Sequence, residues 1–289
     1  MSAAPHSSAS GTTPTLGEVI AVLETLYPLP WAEAWDRVGL VVGDVAEPVF
    51  RILLAVDPTI GVAADAEEHD LLVTHHPLLL RGASFLPTST GKGAVVTSLI
   101  RSRTALWCGH TNADRARTGT ATTLADVLDL ADRTPLEPPA RAEEGLLGLG
   151  LLGTLPETGT VAGLAQQLSD ALPATVQGAV FTGKGERSVR RVALCPGAGD
   201  SLLDRVARTD ADVFITSDLR HHPALEHLES QGDPARVPAL IDIPHWASES
   251  MWLPLLAQLL RTEAAMRGWR LEVRVSERRT DPWTGAARS

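Results

Sequence analysis

The stretch Leu71-Leu72-Val73-Thr74-His75-His76-Pro77 is an apolar run of strand length that ends on two adjacent histidines and a proline. A short apolar run that ends at a turn signal is typical of a buried strand, so the histidines lie where a strand gives way to a loop. Side chains alternate between the two faces of a strand, but that alternation stops where the strand stops. Both imidazoles can therefore reach one point in space.

A second stretch near the end of the chain carries another histidine at a comparable position. Residues 241–243 are strand-like, Pro244 is a stop signal, and an apolar helical pattern begins at Trp246. His245 and Glu249 are four residues apart, so a helix places them on one face. A histidine and a carboxylate on one helical face are a ready pair of metal ligands, although one such pair by itself is a weak signal.

Between these two stretches, the apolar residues 105–107 lead to His110 and, four residues later, to Asp114. Each cluster alone has an ordinary structural interpretation: a turn for the two adjacent histidines, an exposed helix start for His245 and Glu249, and a helix cap for Asp114. Three clusters rich in His and Asp or Glu at successive strand ends are harder to explain in that way. Together they predict a metal site with nitrogen and oxygen ligands.

The number of candidate ligands favours two metal ions rather than one. The candidates are three imidazoles and two carboxylates: His75, His76, Asp114, His245 and Glu249. One carboxylate can bridge two ions about 3.5–4 Å apart. Nitrogen and oxygen donors without thiolate suit Zn, Fe, Mn, Co or Ni and do not select among them. We interpret His110 as a residue behind the ligands that could shuttle protons.

Composition excludes several classes of protein. The chain has 289 residues, of which 44% are hydrophobic and 21% charged, as in an ordinary globular protein. Its net charge of −10 argues against a large nucleic-acid footprint. It has no run of about 18 apolar residues and no signal-peptide pattern, so we expect a cytoplasmic protein with no membrane partner. Cys108 and Cys195 are too few for a disulfide framework and are interpreted as core residues.

The alternation of apolar strands with amphipathic helices predicts an α/β fold with mixed or parallel sheets. A capping box at Thr15 and Glu18 predicts a first helix over about residues 15–27. Proline-rich and polar segments suggest linkers between two lobes, the second inserted into the first. The expected divisions are a disordered tail at 1–14, a metal-binding domain at 15–132 plus 239–289, a second lobe at 145–230, and linkers at about 133–144 and 231–238.

A further histidine cluster follows the strand predicted at residues 213–216. It contains His221, His222 and His227, with Asp218 just before them. The cluster could approach the main site and supply substrate contacts or a proton carrier, or it could be a polar helix start. The sequence leaves both interpretations open.

Four motifs in order carry a family resemblance: Trp35-Asp36-x-Val38-Gly39-Leu40-x-x-Gly43, Thr74-His75-His76-Pro77-Leu78, His110-Thr111-Asn112-x-Asp114 and His245-Trp246-Ala247-Ser248-Glu249. They resemble the GTP cyclohydrolase 1 type 2 homologues, also called the NGG-interacting factor three-like family. The resemblance covers roughly residues 15–275. Any one motif is weak, whereas the ordered set is specific.

The resemblance implies an α/β fold of two similar lobes, a dinuclear metal site in the cleft, and a ring-shaped homohexamer. The family's metal ligands fall on the same five residues that spacing suggested. The chain departs from the family pattern at Pro244, where a glycine is frequent, and at Thr216-Ser217-Asp218, where Thr-Gly-Glu is frequent. We therefore assign no catalytic role to Asp218. For Trp35 and Asp36 in the first motif, we favour a structural role in fixing a turn over a role in the site.

These observations predict a metal-dependent hydrolase that acts on a nucleotide or related small molecule through metal-activated water. Opening of the guanine ring of GTP would also need a proton shuttle, for which His110 is the candidate. A triphosphate pocket is not evident from the sequence. The alternative is a non-catalytic metal-binding protein, either a metallochaperone or a hexameric regulatory scaffold. An open coordination position would distinguish the enzyme, because structural sites are closed.

Overall fold

The computed structural model describes residues 11–287, which form two compact units. Of the described residues, the first unit contains 11–29, Arg37–Gly109 and Leu256–Arg278. The second contains Pro30–Asp36, His110–Leu255 and residues 279–287. The largest segment of the second unit, His110–Leu255, is therefore inserted between two segments of the first.

The strands of the described residues are β1 (Gly39–Val42), β2 (Arg51–Ala55), β3 (Leu71–Thr74), β4 (Ala105–Cys108), β5 (Ala131–Glu137), β6 (Leu149–Thr160), β7 (Val180–Phe181), β8 (Ser188–Ala198), β9 (Val213–Ser217), β10 (Ala239–Asp242) and β11 (Glu272–Val275). The α-helices are α1 (Leu16–Leu26), α2 (Ile60–Asp65), α3 (Gly91–Ser102), α4 (Thr111–Asp114), α5 (Thr120–Val127), α6 (Val161–Ala171), α7 (Leu203–Val206), α8 (His221–Glu229), α9 (His245–Ser250) and α10 (Trp252–Arg267).

The sheet of the first unit has the order β1-β4-β3-β2-β11. The pairs β11–β2, β2–β3 and β3–β4 are parallel, and β1 runs antiparallel to β4. Every residue of β3 and β4 is buried, as expected for parallel strands that are covered on both faces. The parallel arrangement brings the carboxyl ends of β2, β3 and β4 to the same edge, which is where His75 and His76 follow β3.

The first helix begins where the sequence predicts. The Thr15 side chain accepts a hydrogen bond from the Glu18 backbone N–H (3.3 Å), and the Glu18 carboxylate accepts one from the Thr15 N–H (2.8 Å). The predicted capping box is thus confirmed, and α1 buries one apolar face that includes Leu16, Val19 and Leu23.

The sheet of the second unit has the order β5-β6-β8-β9-β10-β7. Its centre is parallel, because β9 pairs in parallel with both β8 and β10, whereas the other pairs are antiparallel. Apolar residues of β6, β8, β9 and β10 form a buried core with helices α5 and α6 on one face. Mixed sheets in both units confirm the predicted α/β class.

The division between the units differs from the expected boundaries. Residues 239–242 form β10 and pair with β9, so this strand belongs to the second unit rather than the first. Part of the expected first linker is strand β5, because Ala131–Glu137 pairs with β6 despite Pro135. Residues 1–10 of the expected tail lie outside the described residues. Thr12 forms a bridge to Trp269, so the end of that segment is ordered.

None of the helices among residues 11–287 is both long enough and apolar enough to span a membrane.

Candidate metal centre

In the first unit, the backbone of neighbouring strands holds the two adjacent histidines. The His75 N–H donates to the Ala55 carbonyl (3.2 Å), and the His76 N–H donates to the Val56 carbonyl (2.9 Å). The His75 ring is completely buried, and its Nδ1–H donates to the Gly109 carbonyl (3.0 Å) just after β4. The ring therefore stands in one fixed orientation.

His76 is held by a carboxylate that the sequence analysis did not single out. Its Nδ1 lies 2.7 Å from Asp57 Oδ1, and Asp57 follows β2, the parallel neighbour of β3. The centroids of the two imidazole rings are 5.1 Å apart. Asp57 could have been predicted from the sequence, because it is a polar residue just past the end of a predicted strand. Ligands collect outside the carboxyl ends of parallel strands.

In the second unit, His245 and Glu249 share one face of α9, as predicted. His245 Nε2 lies 2.9 Å from Glu249 Oε1, and the Glu249 side chain is buried. Pro244 precedes the helix in an extended conformation, so its departure from the family pattern leaves the helix start in place. The prediction of one helical face for these two residues is confirmed.

Asp218, which the sequence analysis set aside, contacts His245 directly. Its Oδ2 lies 2.7 Å from His245 Nδ1. Asp218 follows β9 with a φ of 56°, in the left-handed region that non-glycine residues seldom occupy. A strained residue of this kind is often found at a functional site. Asp218 stands where glutamate is frequent in the family pattern, and that departure hid its role.

The backbone also approaches the pair of His245 and Glu249 closely, at Gly197 in β8. A Cβ atom on Gly197 would stand 2.4 Å from Glu249 Oε1 and 3.3 Å from His245 Nε2. Gly197 has a φ of 70°, and its N–H donates to Ser248 Oγ (3.1 Å). Only glycine fits this conformation without displacing the two candidate ligands.

Asp114 ends the short helix α4 and accepts a hydrogen bond from Thr120 Oγ1 (2.6 Å). Burial raises the pKa of the Cys195 thiol, and the negative charges of Asp114 and Glu249 raise it further. Cys195 stays protonated, which agrees with its interpretation as a core residue.

His110 is paired with Asp36, a buried carboxylate. Asp36 Oδ1 lies 2.9 Å from His110 Nδ1, and Oδ2 accepts bonds from the Thr111 N–H (3.0 Å) and hydroxyl (2.6 Å). Burial by itself would raise the pKa of Asp36, but the hydrogen bonds from His110 and Thr111 outweigh it and hold the pKa well below its usual range. An ionised carboxylate only accepts hydrogen bonds, so the proton of a neutral His110 is on Nδ1.

The later histidine cluster divides into two parts. His227 is buried in α8, and its Nε2–H donates to the Pro238 carbonyl (2.9 Å), which ties the helix to the chain before β10. His221 and His222 are exposed at the start of the same helix, with ring centroids 5.1 Å apart. His227 therefore has a structural role, and the structure gives no function to the other two.

Four of the candidate histidines share one feature: each directs Nδ1 to an oxygen atom. The acceptors are a backbone carbonyl for His75 and the carboxylates Asp57, Asp218 and Asp36 for His76, His245 and His110. Histidines that bind metals through Nε2 commonly donate their other N–H in this way. Candidate metal-binding side chains are thus present in both units: His75 and His76 in the first, and His110, His245 and Glu249 in the second.

Comparison with known proteins gives the same answer as the motifs. Residues 14–282 match the model of the family described as Duf34/NIF3 (NGG1p interacting factor 3). The chain belongs to this family. A Duf34/NIF3 relative from Streptomyces coelicolor, named "GTP cyclohydrolase 1 type 2 homolog", is 45% identical over 94% of each chain. A relative of the same name from Mycobacterium leprae is 33% identical over 94% of this chain and 96% of its own.

Solved structures also match. A Bacillus cereus protein related to NIF3 superposes with a TM-score of 0.86 over 95% of this chain and all of its own, at 21% identity. A hypothetical protein of Staphylococcus aureus superposes with a TM-score of 0.84 over 94% of this chain and all of its own, at 26% identity. The first of these likenesses shows the fold alone. The predicted family membership and fold class are both confirmed.

Proposed function

We propose that this Duf34/NIF3 protein binds two divalent metal ions and hydrolyses a nucleotide or a related small molecule. The proposed ligands are His75, His76, Asp114, His245 and Glu249. The observation that carries the proposal is the orientation of the histidines, whose Nδ1 atoms are all engaged by oxygen acceptors within their own unit. This leaves Nε2 as the coordinating atom of each ring.

The donor atoms fit divalent transition metals. Imidazole nitrogen and carboxylate oxygen suit Zn, Fe, Mn, Co or Ni, and the thiol of Cys195 is kept protonated by burial and neighbouring charge. A pair of ions would supply Lewis acidity and lower the pKa of water. The carboxylates behind His76 and His245 would keep both rings aligned and raise their basicity as ligands.

His110 would move the proton in this reaction. Because Asp36 holds the proton of a neutral His110 on Nδ1, Nε2 is the basic nitrogen of the ring, and it would accept a proton from water and return it to the leaving group. Asp36 stabilises the imidazolium that forms in between, since its own pKa is held low. Asp36 thus acts as a positioning residue through His110.

The proposed substrate class and assembly draw on the relatives. The curated relatives carry the name "GTP cyclohydrolase 1 type 2 homolog", which supports a nucleotide as the substrate. A homohexamer, which the family resemblance implies, is part of the proposal. Native mass spectrometry of the full chain would give a mass of six chains if this is correct.

The test combines metal analysis with turnover in one sample. Protein purified without added metal is analysed for metal ions per chain and assayed with a panel of nucleotides, including GTP, whose ring opening changes the ultraviolet absorption spectrum of the base. Glu249→Ala should lose metal and turnover together. Glu157→Ala, which removes an exposed glutamate of the same unit, should keep both.

Two ions per chain with turnover that vanishes in Glu249→Ala would support the proposal. Two ions without turnover of any nucleotide would contradict the hydrolase and leave a metal-binding role. No bound metal in the wild type would contradict both parts.

A further inference from the structure

The second unit carries a pocket of about 420 Å³ at the edge of its sheet, beside the last strand, β7. Its lining combines exposed apolar residues, among them Phe181 and Trp283, with the polar side chains of Gln177, Asp218 and Asp242. A concave site of this size with a few convergent polar groups is typical of a small-molecule site.

The apolar part of the pocket presents aromatic surface to solvent. The Phe181 side chain is 42% exposed and that of Trp283 is 62% exposed, with Val180 beside them at 51%. Large aromatic side chains this open to solvent often belong to an interaction site. Flat rings stack on such faces, and the gain does not depend on a particular hydrogen-bond pattern.

The polar part consists mainly of acceptors. Asp242 Oδ1 accepts a bond from Gln177 Nε2 (2.8 Å), and Oδ2 accepts one from the Leu219 N–H (2.8 Å), so the carboxylate is fixed in place. Burial raises the pKa of Asp242, and the hydrogen bonds from Leu219 and Gln177 oppose that rise. None of the described lining residues is a lysine or arginine. The pocket therefore favours a ligand that donates hydrogen bonds and disfavours an anion.

Asp218 connects the pocket to the candidate metal centre. It lines the pocket and also lies 2.7 Å from His245 Nδ1. A molecule in the pocket would therefore lie beside the residue that orients a proposed metal ligand. An anionic group of the same molecule would have to lie outside the pocket, because both carboxylates repel it.

We propose that this pocket binds a planar nitrogen heterocycle with adjacent N–H donors, stacked on Phe181 and Trp283 and hydrogen-bonded to Asp242. Guanine has such an edge, with a ring N–H and an amino group side by side. The inference rests on the proposed function, because it names the part of the substrate that the second unit would recognise. The phosphates of a nucleotide would extend away from the pocket.

The test is the binding of nucleosides to the full-length protein as purified, measured by calorimetry. Guanosine should bind, whereas 1-methylguanosine and adenosine should bind at least about tenfold more weakly, because each lacks the paired donors that face the carboxylate. Nucleosides are the probes because they carry no phosphate that could bind a metal ion. Equal binding of the three would overturn the recognition of a donor edge.

Variants locate the binding. Trp283→Ala should weaken guanosine binding about tenfold through lost stacking, and Trp283→Phe should restore most of it. Asp242→Asn should weaken guanosine binding about tenfold and leave adenosine binding nearly unchanged. Phe85→Ala, which removes an exposed aromatic side chain of the first unit, should have no effect. Unchanged guanosine affinity in Trp283→Ala would overturn the proposal.

Metal content, measured in the same samples, separates this inference from the proposed function. If the wild type hydrolyses nucleotides but binds no guanosine, the pocket inference fails and the hydrolase stands. If guanosine binds as described but no nucleotide is hydrolysed, the hydrolase fails and the pocket stands. If Trp283→Ala breaks up an oligomer and guanosine does not bind the wild type, the pocket is a contact between copies and the inference is overturned.

Discussion

The two units present their candidate ligands in different ways. In the first unit, His75 and His76 follow a fully buried parallel strand, and backbone hydrogen bonds to residues at the end of β2 fix their positions. In the second unit, His245 and Glu249 lie on one helical turn, and side chains and backbone from other strands hold them: Asp218 after β9 and Gly197 in β8. The first pair is positioned by the sheet itself, the second by its neighbours.

Substitutions at the two pairs should therefore have different effects on folding and on metal binding. The strand-end pair, His75 and His76, depends on burial, so substitutions there should affect folding as well as metal binding. The helical pair, His245 and Glu249, depends on the exposed carboxylate of Asp218 and on Gly197. Substitutions there should affect metal binding with less effect on folding. Each of the following predictions tests that contrast.

The largest effect on stability is expected for His75→Ala. The substitution empties a completely buried site and leaves the Gly109 carbonyl without its donor, which should lower the free energy of unfolding by about 2–4 kcal/mol. His245→Ala removes a partly exposed ring and should cost less than about 1 kcal/mol. Urea unfolding of both variants in the presence of a chelator measures the contrast, and equal losses would contradict it.

Gly197→Ala should damage the helical pair selectively. Its Cβ would overlap the Glu249 carboxylate, so metal affinity should fall at least about tenfold. Gly183→Ala is the matched control, because Gly183 also has a left-handed φ (76°) but has no atom within 4 Å of the added Cβ. The control should cost about 1 kcal/mol of stability and leave metal affinity unchanged. Competition with a chromogenic chelator measures the affinity; similar values for the two variants would contradict the account.

Asp57→Asn and Asp218→Asn compare the carboxylates behind the two pairs. Each should weaken metal binding by about tenfold, because the imidazole loses a charged acceptor at Nδ1. Asparagine tolerates the left-handed φ of Asp218, so this substitution changes the charge without adding backbone strain. An unchanged metal affinity in Asp218→Asn would mean that this carboxylate does not support His245.

The smallest effect is expected for the pH dependence at Asp36. Its pKa in the folded protein lies below the ordinary value of 3.8, so its stabilisation is complete above that value and shrinks as the pH falls below it. Asp36→Asn should therefore lower stability more at pH 7 than at pH 3. Thermal unfolding of the wild type and the variant at the two pH values measures the difference. A gap that stays constant, or that widens at pH 3, would contradict the hydrogen bonds assigned to Asp36.

Much of the fold was readable from the sequence, because local patterns determined it. The capping box at Thr15, the buried strands before His75 and His110, and the shared helical face of His245 and Glu249 all have short-range signals. The boundary between the units has no such short-range signal, because the pairing of β10 with β9 is a long-range contact that no local sequence pattern indicates.

The carboxylates that accept hydrogen bonds from the candidate histidines were equally difficult to predict from the sequence. Asp57, Asp36 and Asp218 are separated by 19, 74 and 27 residues from the histidines that they contact. Only the fold brings each carboxylate to its ring. The sequence could nominate the histidines by their types and spacing, whereas the hydrogen bonds that orient them appear only in three dimensions.

The most direct test of the metal proposal is the number of metal ions per chain in protein purified without added metal. It should be measured for the wild type, for His75→Ala/His76→Ala and for His245→Ala/Glu249→Ala, with Glu157→Ala as the control. We expect two ions in the wild type and the control, and no more than one in each double variant. Two ions retained in either double variant would contradict the claim that both units supply ligands.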